Sequence, residues 1–96
     1  MYALSRTIIF TRQYADLGED TCAIIEQKLQ MAQTKPSHFK HIYRPGLVLF
    51  SIRFSDRNKD KRLIYNVEDG VVKVLFILDR GKGYADLEHW LKKVGY

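Results

Sequence analysis

Residues 47–78, LVLFSIRFSDRNKDKRLIYNVEDGVVKVLFIL, carry the pattern that decides the fold. From Leu47 the period is two: Val48, Phe50, Ile52 and Phe54 alternate with Leu49, Ser51 and Arg53. Successive side chains of a strand point to opposite faces of a sheet, so Phe50, Ile52 and Phe54 are expected to face a core and Ser51 and Arg53 the other side. Residues 55–60 (SDRNKD) read as a polar turn. Lys61–Val67 resumes the alternation, with Leu63, Tyr65 and Val67 against Arg62, Ile64 and Asn66. Asp69-Gly70 between two apolar runs is a hairpin signal, because these residue types accept the positive φ of a tight turn. Val71–Leu78 is almost wholly apolar, as expected of a central strand buried on both faces. Turns this short join antiparallel strands, so the three form an antiparallel sheet.

Working outward, residues 5–11 (SRTIIFT) read as a further short strand. Arg12–Ala32 has helical character interrupted at Gly18. Tyr14 and Leu17 share a face before the break. After it, Asp20 or Thr21 is expected to cap a helix with an apolar stripe of Cys22, Ile25, Leu29 and Ala32. Pro36 closes the helical region, since the residue before a proline is pushed out of the helical conformation. Residues 34–46 read as a basic loop holding Lys35, His38, Lys40, His41 and Arg44, with a turn at Pro45-Gly46. Residues 79–83 (DRGKG) form a turn, and a helix begins near Tyr84 with Tyr84, Leu87, Leu91 and Val94 on one stripe and Trp90 beside it. The expected architecture is α+β: a small antiparallel sheet, an N-terminal helical hairpin on one face, a C-terminal helix, and the other face partly open as a groove. At 96 residues the whole chain, 1–96, is expected to be a single domain.

Hydrophobic residues make up 46% and charged residues 28%, a globular and not a disordered composition. Sixteen Lys and Arg against eleven Asp and Glu give a net charge of +5, and a small basic domain attracts polyanions through its long-range field. The single cysteine, Cys22, excludes an intrachain disulfide and points to a reducing compartment. It lies in an apolar run and reads as a core residue. No segment approaches the ~20 apolar residues of a membrane span, and no secretory leader is visible, so a cytoplasmic location without membrane attachment is expected. No HExxH or Cys/His spacing suggests a metal, and Gly81-Lys82-Gly83 is too short for a dinucleotide fingerprint, so no cofactor is expected.

The arginines lie at related positions: Arg53 on one strand, Arg62 on the next and Arg80 at the end of the third. With these strands adjacent in order, all three border one face. Arginine suits phosphate because its planar fork donates paired hydrogen bonds and keeps its charge. Each taken singly is equally a solvated strand-edge charge. Tyr84 follows Arg80 after two glycines, and it could stack on a base, move a proton, or simply pack at the start of the helix. His41 could assist a proton transfer or remain an exposed loop residue.

The runs FSIRF (50–54), KRLIYNVEDGVVKVLFI (61–77) and DRGKGY (79–84) resemble the RelE/ParE superfamily of toxin–antitoxin toxins, and Phe10–Pro36 fits the upstream layout of that family. The resemblance to RelE-like members implies a ribosome-dependent endoribonuclease that cuts mRNA by attack of a 2′-OH on the adjacent phosphate and so inhibits translation. It implies catalytic roles for Arg53, Arg62, Arg80 and Tyr84, and RNA binding by Ser51, Lys40, His41, Lys61 and Lys82. It implies as partners a cognate antitoxin, in a toxin–antitoxin hetero-oligomer, and the ribosome with its mRNA. Ser51 stands where the mRNA cleavers often carry a lysine, and the spacing from Arg80 to Tyr84 is short, two departures from the pattern. The alternative within the superfamily is a non-catalytic ParE-like toxin that poisons DNA gyrase.

Overall fold

The computed structural model describes residues 1–81 and 84–96, with Tyr84 described by its backbone alone. Along the chain run β1 (Ala3–Arg6), α1 (Ile8–Ala15), α2 (Glu19–Thr34), a 3-10 turn (Pro36–His38), β2 (Lys40–Arg44), β3 (Leu47–Asp56), β4 (Lys59–Glu68), β5 (Val71–Asp79) and α3 (Tyr84–Lys93). The strands form one sheet in the order β1-β5-β4-β3-β2. The β2-β3-β4-β5 series is antiparallel, as expected for β3, β4 and β5, and β1 adds a parallel edge to β5.

Two tight turns set the meander. Asp69 (φ 52°) and Gly70 (φ 75°) join β4 to β5 with the positive φ pair that the sequence foretold. Arg57 (φ 50°) and Asn58 (φ 65°) join β3 to β4 in the same way, so the turn is shorter than the six-residue segment expected and both strands run further. A register shift between Ile64 and Tyr65 lets β5 hold one extra residue against β4. β5 is buried from Val74 through Leu78, in keeping with its place inside the sheet.

The apolar run at Ile8–Phe10 is helical, not extended. The strand ends at Arg6, and Thr7 caps α1 by accepting a hydrogen bond from the Phe10 amide at 3.0 Å while its hydroxyl donates to the Leu75 carbonyl. Phe10 then enters the core with no exposed surface. β2 lies in what reads as a basic loop. As an edge strand with Lys40, Ile42 and Arg44 on one side, it lacks the apolar alternation that marks a buried strand, and charges suit an edge. The start of α2 also differs from expectation. Gly18 takes the N-cap position, and the stabilising carboxylate comes from β3: Asp56 Oδ1 accepts from the Gly18 amide at 3.1 Å and from Thr21 Oγ1 at 2.7 Å.

Apolar packing lies on both faces of the sheet. Ile25, Leu29 and Ala32 of α2 and Phe10 of α1 cover Phe50, Ile52, Leu63 and Tyr65. Cys22, expected in that stripe, is half-buried at its margin. On the other face Leu87 and Leu91 of α3 cover Leu49, Ile64, Phe76 and Leu78. Each such side chain, fully buried, contributes about 1.5–3 kcal/mol. α3 is further held by an Arg44–Glu88 ion pair and by Tyr96, whose hydroxyl accepts from Asn66 Nδ2 at 3.1 Å. Among the described residues no helix is long and apolar enough to cross a membrane.

β1 accompanies β5 only from Val71 to Val74, and beyond that a side chain takes over the edge. Gln13 of α1 donates from Nε2 to the Ile77 carbonyl at 3.0 Å and accepts from the Ile77 amide at 2.6 Å, reproducing a strand's pair of bonds. Gln13→Ala leaves both Ile77 groups without these partners. It should destabilise the fold by about 1–3 kcal/mol and accelerate hydrogen exchange at the Ile77 amide, measured by denaturation and NMR.

Glu26 joins three elements. Arg6 of β1 donates to both its oxygens (2.9 and 2.6 Å), and the Tyr14 hydroxyl donates to Oε2 at 2.7 Å. The Arg6 hydrogen bonds are the main cause holding the Glu26 carboxyl below its ordinary value of 4.5, as the Thr21 hydroxyl and then the Gly18 amide hold Asp56 below 3.8. Carboxyls depressed on folding stabilise the native state above their unfolded values and lose that contribution as pH falls through their folded values. The double variant Glu26→Gln, Asp56→Asn should therefore be less stable at neutral pH, with a smaller loss of urea midpoint on acidification below pH ~4. Parallel acid curves for parent and variant would refute this account.

Candidate nucleic-acid interface

The antiparallel register of β3 and β4 pairs Arg53 with Arg62 and, one step nearer the turn, Ser55 with Asp60. Strand alternation puts all four on the α3 face, since Leu49 and Ile64 of the same rows pack under that helix. The Arg80 amide donates to the Asp60 carbonyl at 3.0 Å, carrying the ladder one residue beyond β5. Its guanidinium reaches the same face, with Nη1 3.2 Å from Asp60 Oδ2. Arg53 and Arg80 thus meet at the open end of the α3 face, with Arg62 opposite Arg53 in the ladder. There Arg53, Ser55, Asp60 and Arg80 border a cavity of about 230 Å³. Arg53 is exposed and Arg62 half-buried. Among the described residues Arg53 has no ion-pair partner.

Like charges directly opposite in a ladder cost stability. The register nevertheless sets Arg53 and Arg62 side by side on this face, and a pair of guanidinium forks can hold two oxygens of one anion.

The other sequence candidates fall around this row. Ser51 is the next residue inward from Arg53 on the same face. It is 3% exposed, with no hydrogen-bond partner for Oγ among the described residues. Lys40 pairs with Ser51 on the exposed β2 edge. His41 points the opposite way, edge-on to Phe50 at 5.3 Å, and is not brought to the arginines. Lys61 alternates away from Arg62 and is bound to Asp79 at 2.7 Å, although it reaches the rim of the cavity. Tyr84 opens α3, with its side chain outside the described residues, as is Lys82. Ser55 and Asp60 are components that the sequence did not disclose. A two-residue turn at Arg57-Asn58 would have placed them opposite each other, and that turn was legible only as part of a longer polar segment. Among the described residues no group of three or more His, Cys, Asp or Glu could hold a metal ion.

A mixed five-stranded sheet with a helical pair on one face and a single C-terminal helix on the other is the architecture of the RelE toxins. The chain matches one chain of the intact E. coli RelBE toxin–antitoxin complex with a TM-score of 0.71 and 21% identity, over 85% of this chain and 100% of that one. It matches the isolated E. coli RelE toxin with a TM-score of 0.68 and 21% identity, over 98% and 99% of the two chains. The archaeal RelE–RelB complex from Pyrococcus horikoshii OT3 gives 0.66 and 20% identity, over 85% and 98%. The likeness is one of fold. No family model matches the sequence, and no curated protein matches it significantly.

Arg53→Thr removes half of the facing pair and keeps a residue suited to a strand. Stability should stay within about 0.5 kcal/mol of the parent. Affinity for a short single-stranded RNA should fall, and the plot of log K against log salt should become shallower by about 0.7, the loss of one phosphate contact. Fluorescence anisotropy across a salt series checks both.

Proposed function

We propose that this chain, acting as one domain over residues 1–96, is the toxin of a type II toxin–antitoxin pair and a RelE-like, ribosome-dependent mRNA endoribonuclease. The observation that carries this reading is the facing Arg53–Arg62 pair with Arg80 beside it, on a fold like that of the RelE toxins. The reaction is attack of a ribose 2′-oxygen on the adjacent phosphorus. The bond from phosphorus to the 5′-oxygen breaks, leaving a 2′,3′-cyclic phosphate. A base takes the 2′-OH proton and the departing 5′-oxygen gains one.

Arginines fixed on strands suit the charge that grows on the phosphate oxygens, because they need no reorganisation as it develops. Tyr84 is the proposed base or stacking group, at the start of the helix that follows Arg80 closely. Nearby cations favour the phenolate and so lower a tyrosine's pKa. Lys40 borders the arginines along the proposed mRNA path, with Lys61 and Lys82 as further phosphate contacts, whereas the buried Ser51 lies beneath the row and is not available to RNA. The ribosome supplies the orientation of the message, which accords with a site poor in strong proton-transfer groups. The partner that restrains the enzyme is an antitoxin with an acidic or amphipathic segment laid across the arginine face in a hetero-oligomer, and the setting is the cytoplasm.

Single-turnover cleavage on programmed ribosomes tests the reading. Arg62→Ala or Arg80→Ala should slow cleavage by roughly 10²–10³-fold, the cost of one preorganised donor, with the fold retained by circular dichroism. Tyr84→Phe should abolish cleavage without loss of ribosome binding if the phenol is the base. It should be nearly silent, with Tyr84→Ala inactive, if the ring only stacks. Full cleavage by Arg80→Ala rejects the site. Growth arrest without mRNA cleavage, accompanied by gyrase-linked DNA damage, would establish the ParE-like alternative.

A further inference from the structure

We infer that Asp60 is a built-in counter-anion occupying a phosphate subsite formed by Arg53, Ser55 and Arg80, and that RNA takes this subsite by displacing the carboxylate. Both Asp60 oxygens are engaged as a phosphate's would be: Ser55 Oγ donates to Oδ1 at 2.9 Å and Arg80 Nη1 to Oδ2 at 3.2 Å. Arg53, exposed, borders the same cavity. The donors are set by backbone. Ser55 faces Asp60 in the β3–β4 ladder, and the Arg80 amide is bonded to the Asp60 carbonyl, so the subsite keeps its shape when the carboxylate swings out.

The exchange favours RNA on two counts. The Asp60 and Arg80 side chains are 55% and 52% exposed, and a pair so open to water is weakly held. A phosphodiester carries the same single charge, but its oxygens can engage two guanidinium groups and a hydroxyl together. The carboxylate thus tempers the attraction of the basic face for any stray polyanion and yields to a phosphate delivered in register. Identifying that phosphate as part of RNA rests on the nuclease reading above.

The test compares parent and Asp60→Asn for binding of a short fluorescein-labelled single-stranded RNA across a salt series, with single-turnover cleavage on programmed ribosomes alongside. Asn keeps the size and removes the charge. The expected result is severalfold tighter RNA binding by Asp60→Asn and a salt slope steeper by about 0.7, because Arg80 then sheds its own counterion on binding. Arg80→Ala combined with Asp60→Asn should cancel the gain. Asp60→Thr, which also removes the charge and suits a strand position, should show the same steeper slope and serves as a second variant should Asp60→Asn fold poorly. Equal affinity and slope for parent and Asp60→Asn overturn the inference, as does cleavage lost with binding unchanged, which would make the carboxylate a proton-transfer group. Failure of the parent itself to bind or cleave RNA would instead defeat the nuclease reading, so the two failures are distinct.

Discussion

The arrangement of this molecule depends on the register between β3 and β4, which the two-residue turn at Arg57-Asn58 fixes. A slip of one residue in an antiparallel pair sends every side chain of the slipped strand to the opposite face. Here such a slip would drive Arg62 and Asp60 into the helical core and expose Leu63 and Tyr65, which have no accessible surface. The apolar residues of one face therefore enforce the placement of charge on the other. Asp56 adds a second lock, because the carboxylate that ends β3 also receives the amide of Gly18, the N-cap of α2. The sheet, the helical pair and the guanidinium row are three expressions of one alignment.

The α3 face divides along its length into an apolar and a charged half. Leu87 and Leu91 seal the half that carries Leu49, Ile64 and Phe76, and the half nearer the β3–β4 turn is left to the arginines. A guanidinium beside an apolar wall is in a less polar setting than one in free solution, and charge interactions strengthen as water is excluded.

Much of this was legible in the sequence. The alternation at 50–54 and 61–67, the Asp69-Gly70 turn and the apolar run of β5 identified three strands and their order, and those strands carry the arginines. The elements that were missed are those whose stability comes from elsewhere. β2 is polar because it lies at an edge. Ile8–Phe10 reads as extended until Thr7 is seen to cap a helix through a contact with β5. The start of α2 is set by Asp56, far along the chain. The Ser55–Asp60 pair depends on the length of a turn whose residues, Arg57 and Asn58, are individually weak signals. Of the candidate site, strand parity gave the arginines and could not give His41, because the strand that turns it to the other face was itself unrecognised.

The parallel pairing of β1 with β5 has a consequence for how the molecule comes to be. Ala3 meets Val71 and Arg6 meets Val74, so the strand made first finds its partner only after the three meander strands before β5 have been synthesised. Local hairpins form readily, whereas closing a long loop costs entropy that no early contact returns. The meander is therefore the natural nucleus, with β1 and its attached helices docking onto it afterwards. During synthesis Phe10, Ile25 and Leu29 emerge before the surface that will bury them. The helical pair waits on the sheet, and the Arg80 end of the charged row waits on β5, so neither has its final support until the last third of the chain has been made.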